Sequence, residues 1–117
     1  MKKEKIITRK EEFSFIIKTG KFVSEKVLVL YFYPKALTNS RVGITVSKKL
    51  GNAVQRNKAK RQLKSMVDSI YNWQEDFDTI IIIREMFKIS SFDDNKKHLE
   101  SAYKKVKIKC ERQGISK

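Results

Sequence analysis

Apolar residues recur at helical spacing in three stretches of this chain and at strand spacing in three others. Thr8 and Glu11 stand at capping-box spacing, and Phe13, Ile16 and Ile17 follow at helical intervals until Gly20, which predicts a short first helix. From Phe22 to Tyr33 the residues are mostly β-branched or aromatic; this predicts one long strand, ended by Pro34, which has no N–H for a ladder. Thr38-Asn39-Ser40 then reads as a polar turn into Val42, Ile44 and Val46, which alternate with Gly43 and Thr45, so a hairpin is expected to join the two strands. Between Val54 and Tyr71, Leu63, Met66, Val67 and Ile70 share one face of a central helix. Thr79 to Ile83 is short, β-branched and continuously apolar, the pattern of a central strand covered on both faces. Ser91, with Asp93 and Asp94 behind it, opens a last helix whose Leu99, Tyr103, Val106 and Cys110 fall on one side, and the tail after Gly114 is expected to fray. The order helix-strand-strand-helix-strand-helix, without repeats or linkers, predicts a single α+β domain over residues 1–117, a two-layer sandwich.

Composition narrows the partner. The 117 residues carry 27 Lys and Arg against 13 Asp and Glu, a net charge of +14, alongside 40% apolar residues, enough for a core. A surface that repels itself this strongly suits a polyanion, and nucleic acid leads. A membrane surface would attract the same charge but calls for an amphipathic helix with bulky apolar residues opposite its lysines. The start of the chain lacks a sustained apolar segment and Ile80 to Ile83 is too short to span a bilayer, so secretion and membrane insertion are not expected. The lone Cys110 fits a reducing, cytoplasmic setting, and one His98 with one Cys110 makes a zinc cage implausible.

The informative stretch runs from Arg41 to Lys64. At about 100° per residue, Arg56, Asn57, Lys60, Arg61 and Lys64 fall within an arc of roughly 140° beside the apolar face. Such a stripe is ordinarily a solvated charged face. Here no acid appears before Asp68 to pair with it, an Asn sits among the cations, and the basic, glycine-containing loop Ser47 to Ala53 leads into it. Arg presents a fork matched to phosphate oxygens, Lys a mobile point charge, and Asn57 both a donor and an acceptor, a set that suits RNA backbone. Amide groups at the helix start, behind Ser47, Lys48 and Lys49, add an anion site, whereas Gly51 alone signals no more than a turn.

The run Arg41-Val42-Gly43-Ile44-Thr45-Val46-Ser47-Lys48-Lys49-Leu50-Gly51-Asn52-Ala53-Val54-Gln55-Arg56-Asn57-Lys58-Ala59-Lys60-Arg61 closely resembles the signature of the bacterial ribonuclease P protein family, and Phe13, Gly20, Tyr31 and the isoleucine strand extend the resemblance along the chain. The resemblance implies an α+β fold of the ribosomal protein S5 domain 2-like type, with a left-handed βαβ crossover in place of the usual right-handed one. It implies the non-catalytic protein subunit of an endoribonuclease that removes the 5′ leader of precursor tRNA, with hydrolysis carried out by a catalytic RNA subunit and magnesium held mainly on that RNA. Ser47, Lys48, Lys49, Arg56, Asn57, Lys60, Arg61 and, continuing the stripe, Lys64 would face the RNA subunit.

The resemblance also implies a cleft between the first helix and the sheet for the single-stranded leader, where Phe13 and Tyr31 match aromatic positions. One turn beyond Phe13 the family carries a second aromatic; this chain has Ile17, and Phe15 points elsewhere. Stacking of unpaired bases on aromatic rings is sound chemistry. Taken by themselves, Phe13 and Tyr31 read first as core residues of an amphipathic helix and a strand. Lys18 or Lys21 would neutralise leader phosphates. No catalytic constellation emerges, because His98 is solitary, Cys110 lies on an apolar face and Asp93-Asp94 suit a helix start. Two other classes remain: a structural ribosomal protein, and a small DNA-binding domain, against which no helix-turn-helix pair precedes the basic helix.

Overall fold

The computed structural model describes residues 5–112, so the tail after Gly114 lies outside the described residues. Its elements are α1 (Lys10–Thr19), β1 (Lys21–Ser24), β2 (Leu28–Pro34), β3 (Val42–Val46), a short 3-10 turn (Lys48–Leu50), α2 (Ala53–Ile70), β4 (Phe77–Ile83), α3 (Met86–Ile89) and α4 (Phe92–Arg112). The class is α+β, with one four-stranded sheet in the order β1-β2-β4-β3. The isoleucine strand β4 is central, antiparallel to β2 and parallel to β3.

Three local expectations are corrected. The apolar stretch from Phe22 to Tyr33 is two strands, because the chain turns at Glu25, whose amide donates to the carbonyl of Leu28 at 2.8 Å. That turn is held from outside: the Glu25 carboxylate meets His98 Nδ1 and Lys105 Nζ, each at 3.0 Å, and Arg84 donates to the Glu25 carbonyl at 3.2 Å. The expected hairpin between β2 and β3 does not form, since both strands pair with β4 instead. A strand buried on both faces takes the middle, and the loop through Thr38-Asn39-Ser40 crosses the start of β4, where Lys35 N donates to Asp76 O and Thr79 N to Arg41 O. The Thr8 capping box is also missing. Ile7, buried, donates to the Val42 carbonyl at 2.9 Å, and this pairing with the β3 edge keeps the chain extended through Thr8, so that α1 begins after Arg9 without a side-chain cap.

Alternation along the strands sends side chains into two clusters. Leu28, Leu30, Phe32, Val42, Ile81 and Ile83 join Leu63, Met66 and Val67 of α2 and Leu99, Tyr103, Val106 and Cys110 of α4 in the main core, as the helical periodicity of both helices predicts. The opposite face presents Ile80, packed with Ile7 and Ile16 under α1. The short α3 plugs the main core with Phe87, whose carbonyl accepts from Asn95 Nδ2 at 2.9 Å.

A charged clasp holds α1 to the sheet. Arg41 Nη2 lies 2.6 Å from Glu12 on α1 and 3.2 Å from Asp78 on β4, and its backbone amide donates to Asp78 at 2.8 Å. The bond to Arg41 holds the Glu12 carboxyl below its usual range, whereas burial pushes that of Asp78 up against the same arginine. Asp78 is only 2% exposed at its side chain.

Arg41→Ala, which strands the Asp78 carboxylate in the interior, is expected to destabilise the fold by about 3 kcal/mol. Glu12→Gln should cost about 1 kcal/mol at neutral pH. Because the folded Glu12 pKa is depressed, that stabilisation is present above the unfolded glutamate value and is lost as pH falls through the folded one. Asp78 is common to both chains, so its opposite contribution drops out of the difference. Urea midpoints of the two chains should therefore differ at about pH 7 and converge toward about pH 3; an equal difference at both would refute the clasp.

Candidate nucleic-acid interface

The basic segment is built along the outer edge of β3. Ser47 leaves the strand and accepts a hydrogen bond at Oγ from Lys49 N at 3.2 Å, which winds the 3-10 turn; buried Leu50 anchors it and leaves Lys48 and Lys49 exposed. Gly51 follows at φ 153°, in the region that favours glycine, and a Cβ there would lie 1.8 Å from Gln55 Oε1. That glutamine belongs to a capping box: Gln55 N donates to Asn52 Oδ1 at 3.0 Å while Asn52 N donates to Gln55 Oε1 at 3.1 Å. The box consumes two of the amide groups that were expected to form an anion site at this helix start.

From there α2 runs back along β3 and presents its stripe. Asn57, Arg61 and Lys64 are exposed, while Arg56 and Lys60 are half-buried, the Arg56 Nε being enclosed without a hydrogen-bond partner among the described residues. Lys60 and Lys64 lie beside Phe13, Ile6, Thr8 and Val42 in one recess between α2 and the N-terminal segment. The fold thus brings two cations of the stripe, on one side of the sheet, to the same groove as the aromatic residue of α1 on the other.

Phe13 sits over Gly43, where a Cβ would come within 2.7 Å of both the Phe13 ring and Ile80. Phe13, Ile17 and Tyr31 are all half-buried against the small cluster around Ile80. They are core on one side and open on the other, so the two readings of Phe13 and Tyr31 are compatible. Strand register places Phe22, Tyr31, Ile80 and Gly43 in one row across this face. Phe15, as expected, points away from that row and meets Tyr33 edge-on at 5.0 Å. Lys18 and Lys21 are exposed.

Other chemistry-bearing residues are structural. His98 is not solitary in space, since it helps to anchor Glu25. Burial pushes the Cys110 thiol up to about 11, an unreactive thiol. Ser91 Oγ accepts from Asp94 N at 3.1 Å, the helix start foreseen for Asp93-Asp94. Among the described residues, no group of three or more His, Cys, Asp or Glu is placed to hold a metal ion, and no helix is long and apolar enough to cross a membrane. Two features escaped the sequence: the Arg41 clasp, whose only signal is a cation at the start of an apolar strand, and the Asn52–Gln55 capping box, which had the right spacing.

The chain is similar to known proteins along most of its length. The family model described as Ribonuclease P matches residues 1–107. The chain is 43% identical over 101 residues to the ribonuclease P protein component of Mesoplasma florum, covering 85% of this chain and 92% of that one. It is 36% identical over 110 residues to that of Shouchella clausii, covering 92% and 90%. A solved mutant of the Staphylococcus aureus RNase P protein has the same fold, with TM-score 0.82 at 33% identity over 90% of each chain.

Gly51→Ala combines an unfavourable φ with the loss of the capping box and should lower stability by about 1–2 kcal/mol, at roughly 4–8 °C of Tm per kcal/mol. Thermal unfolding followed by circular dichroism checks this. An unchanged Tm would mean that the box does not set the start of α2.

Proposed function

The chain belongs to the bacterial ribonuclease P protein family, and from that premise we propose that it docks on the catalytic RNA subunit through α2 and the turn before it, and holds the 5′ leader of precursor tRNA on the face carrying Phe13 and Tyr31. The observation that supports this most is the groove in which Lys60 and Lys64 meet Phe13: it joins a cationic edge suited to structured RNA with an aromatic face suited to unpaired bases. Ser47, Lys48, Lys49, Arg56, Asn57, Lys60, Arg61 and Lys64 contact the RNA subunit; Phe13, Ile17 and Tyr31 contact the leader.

In this reading the protein works in the cytoplasm and performs no bond cleavage. Endonucleolytic removal of the leader is the work of the RNA, whose magnesium ions supply the metal chemistry. The contribution of the chain is to neutralise phosphates where two polyanions must approach, and to add leader contacts that mature tRNA lacks. A ribosomal role, the alternative from another class, has no support from the comparisons reported above.

Replacing Arg56, Lys60 and Arg61 together with Ala should weaken RNA-subunit binding and reduce the slope of log affinity against log salt by about 2 to 3, one charge being lost per phosphate contact. The far-ultraviolet spectrum should not change, since these side chains lie outside the main core. An unaltered slope would make the stripe a solvated face only.

Tyr31→Ala or Phe13→Leu should weaken holoenzyme binding of precursor tRNA by roughly five- to 150-fold, the range for one lost base stack, and leave mature tRNA nearly unaffected. Ile17→Phe should tighten precursor binding, because it restores an aromatic platform one turn beyond Phe13. Equal losses for both RNAs would place the leader elsewhere.

A further inference from the structure

The aromatic row does not end at Tyr31. Phe22 on β1 is the register partner of Tyr31, lies on the same face and is 52% exposed, with ring centroids 5.5 Å apart and planes tilted by 40°. A large exposed ring on an edge strand is often incidental. Three observations set this one apart. It continues a row that begins with Phe13 over Gly43 and passes through Tyr31, so a strand crossing the sheet meets it next. It opens onto a shallow groove at the free edge of β1 lined by Ser24, Lys105, Ile108 and Lys109, which brings α4 cations to within reach of whatever lies on the ring. And α1 has ended at Thr19, leaving the outer face of β1 uncovered.

We propose that Phe22 is a further stacking platform for single-stranded RNA, extending the leader site by a nucleotide beyond Tyr31 and leading its backbone around the edge of β1 toward Lys109. The inference rests on the leader site described above and adds to it the direction in which the leader leaves the protein. The ligand class follows from the chemistry: an exposed aromatic face accepts any base, and an adjacent ammonium group on a flexible stem neutralises a phosphate without fixing its position. Lys105 is partly engaged with Glu25 at 3.0 Å, which leaves Lys109 as the principal cation. An acidic peptide would use the lysines but gain little from an isolated ring.

The test uses the reconstituted holoenzyme and precursor tRNAs whose leaders are lengthened one nucleotide at a time. Affinity should rise with length in the native protein, and Phe22→Ser should remove only the increment contributed by the longer leaders, a loss of about fivefold, the low end for a stacked base on an exposed ring. Short-leader substrates and mature tRNA should be unaffected. Lys109→Gln should lessen the salt sensitivity of that same increment, and Phe22→Trp, which keeps a ring at the position, should preserve or strengthen it. Tyr31→Ala measured alongside separates the outcomes. If it abolishes leader dependence while Phe22→Ser and Phe22→Trp match the native protein at every length, the extension is overturned and the leader site stands. If neither position alters leader dependence, the leader site itself is refuted and the extension with it. A loss shared by mature tRNA would assign Phe22 to the sheet edge and overturn the proposal.

Discussion

The arrangement depends on one strand that has no solvent face. In β4, Ile81 and Ile83 point into the main core and Ile80 into the small cluster under α1, so helices must cover both sides of the sheet. The same strand pairs antiparallel with β2 and parallel with β3, which makes β3 an edge and sends α2 back along it. The candidate surface follows from this packing: the basic helix borders the edge, α1 crosses the opposite face, and Phe13 shares a groove with Lys60 and Lys64 of α2. Moving β4 from the centre would separate the cationic surface from the aromatic one.

Charge is distributed to match. Four acidic side chains are drawn into internal partnerships: Glu12 and Asp78 with Arg41, Glu25 with His98 and Lys105, Glu75 with Lys107 and the Tyr103 hydroxyl. These tie α1 to β4, the β1–β2 turn to α4, and the loop before β4 to α4. The stripe on α2, by contrast, has no acid before Asp68 in its own helix. The net charge of +14, from 27 basic against 13 acidic side chains, is what remains for a polyanionic partner to neutralise.

Much of the fold was legible because it rests on local periodicity. The buried faces of α2 and α4 and the central position of β4 follow from spacing and from a continuous apolar run. Features set by distant partners were not legible. The break at Glu25 depends on His98 and Lys105, far along the chain; the absent β2–β3 hairpin depends on β4 outcompeting a local turn; and the uncapped start of α1 depends on Ile7 pairing with the β3 edge. The candidate site divides likewise. The basic stripe could be read from angle alone and its partner class from the resemblance of Arg41 to Arg61, but its meeting with Phe13, and the row that continues to Phe22, exist only in the folded register.

The central claim is that the two surfaces serve two different RNAs. Site-specific photo-cross-linking in the assembled holoenzyme tests it, with one photoreactive nucleotide placed in the leader of precursor tRNA or in the RNA subunit and the cross-linked peptides identified by mass spectrometry. Leader cross-links should map to peptides carrying Phe13 and Tyr31, and RNA-subunit cross-links to the peptide carrying Arg56 to Lys64. Leader cross-links confined to α2, or RNA-subunit cross-links centred on Phe13 and Tyr31, would contradict the account.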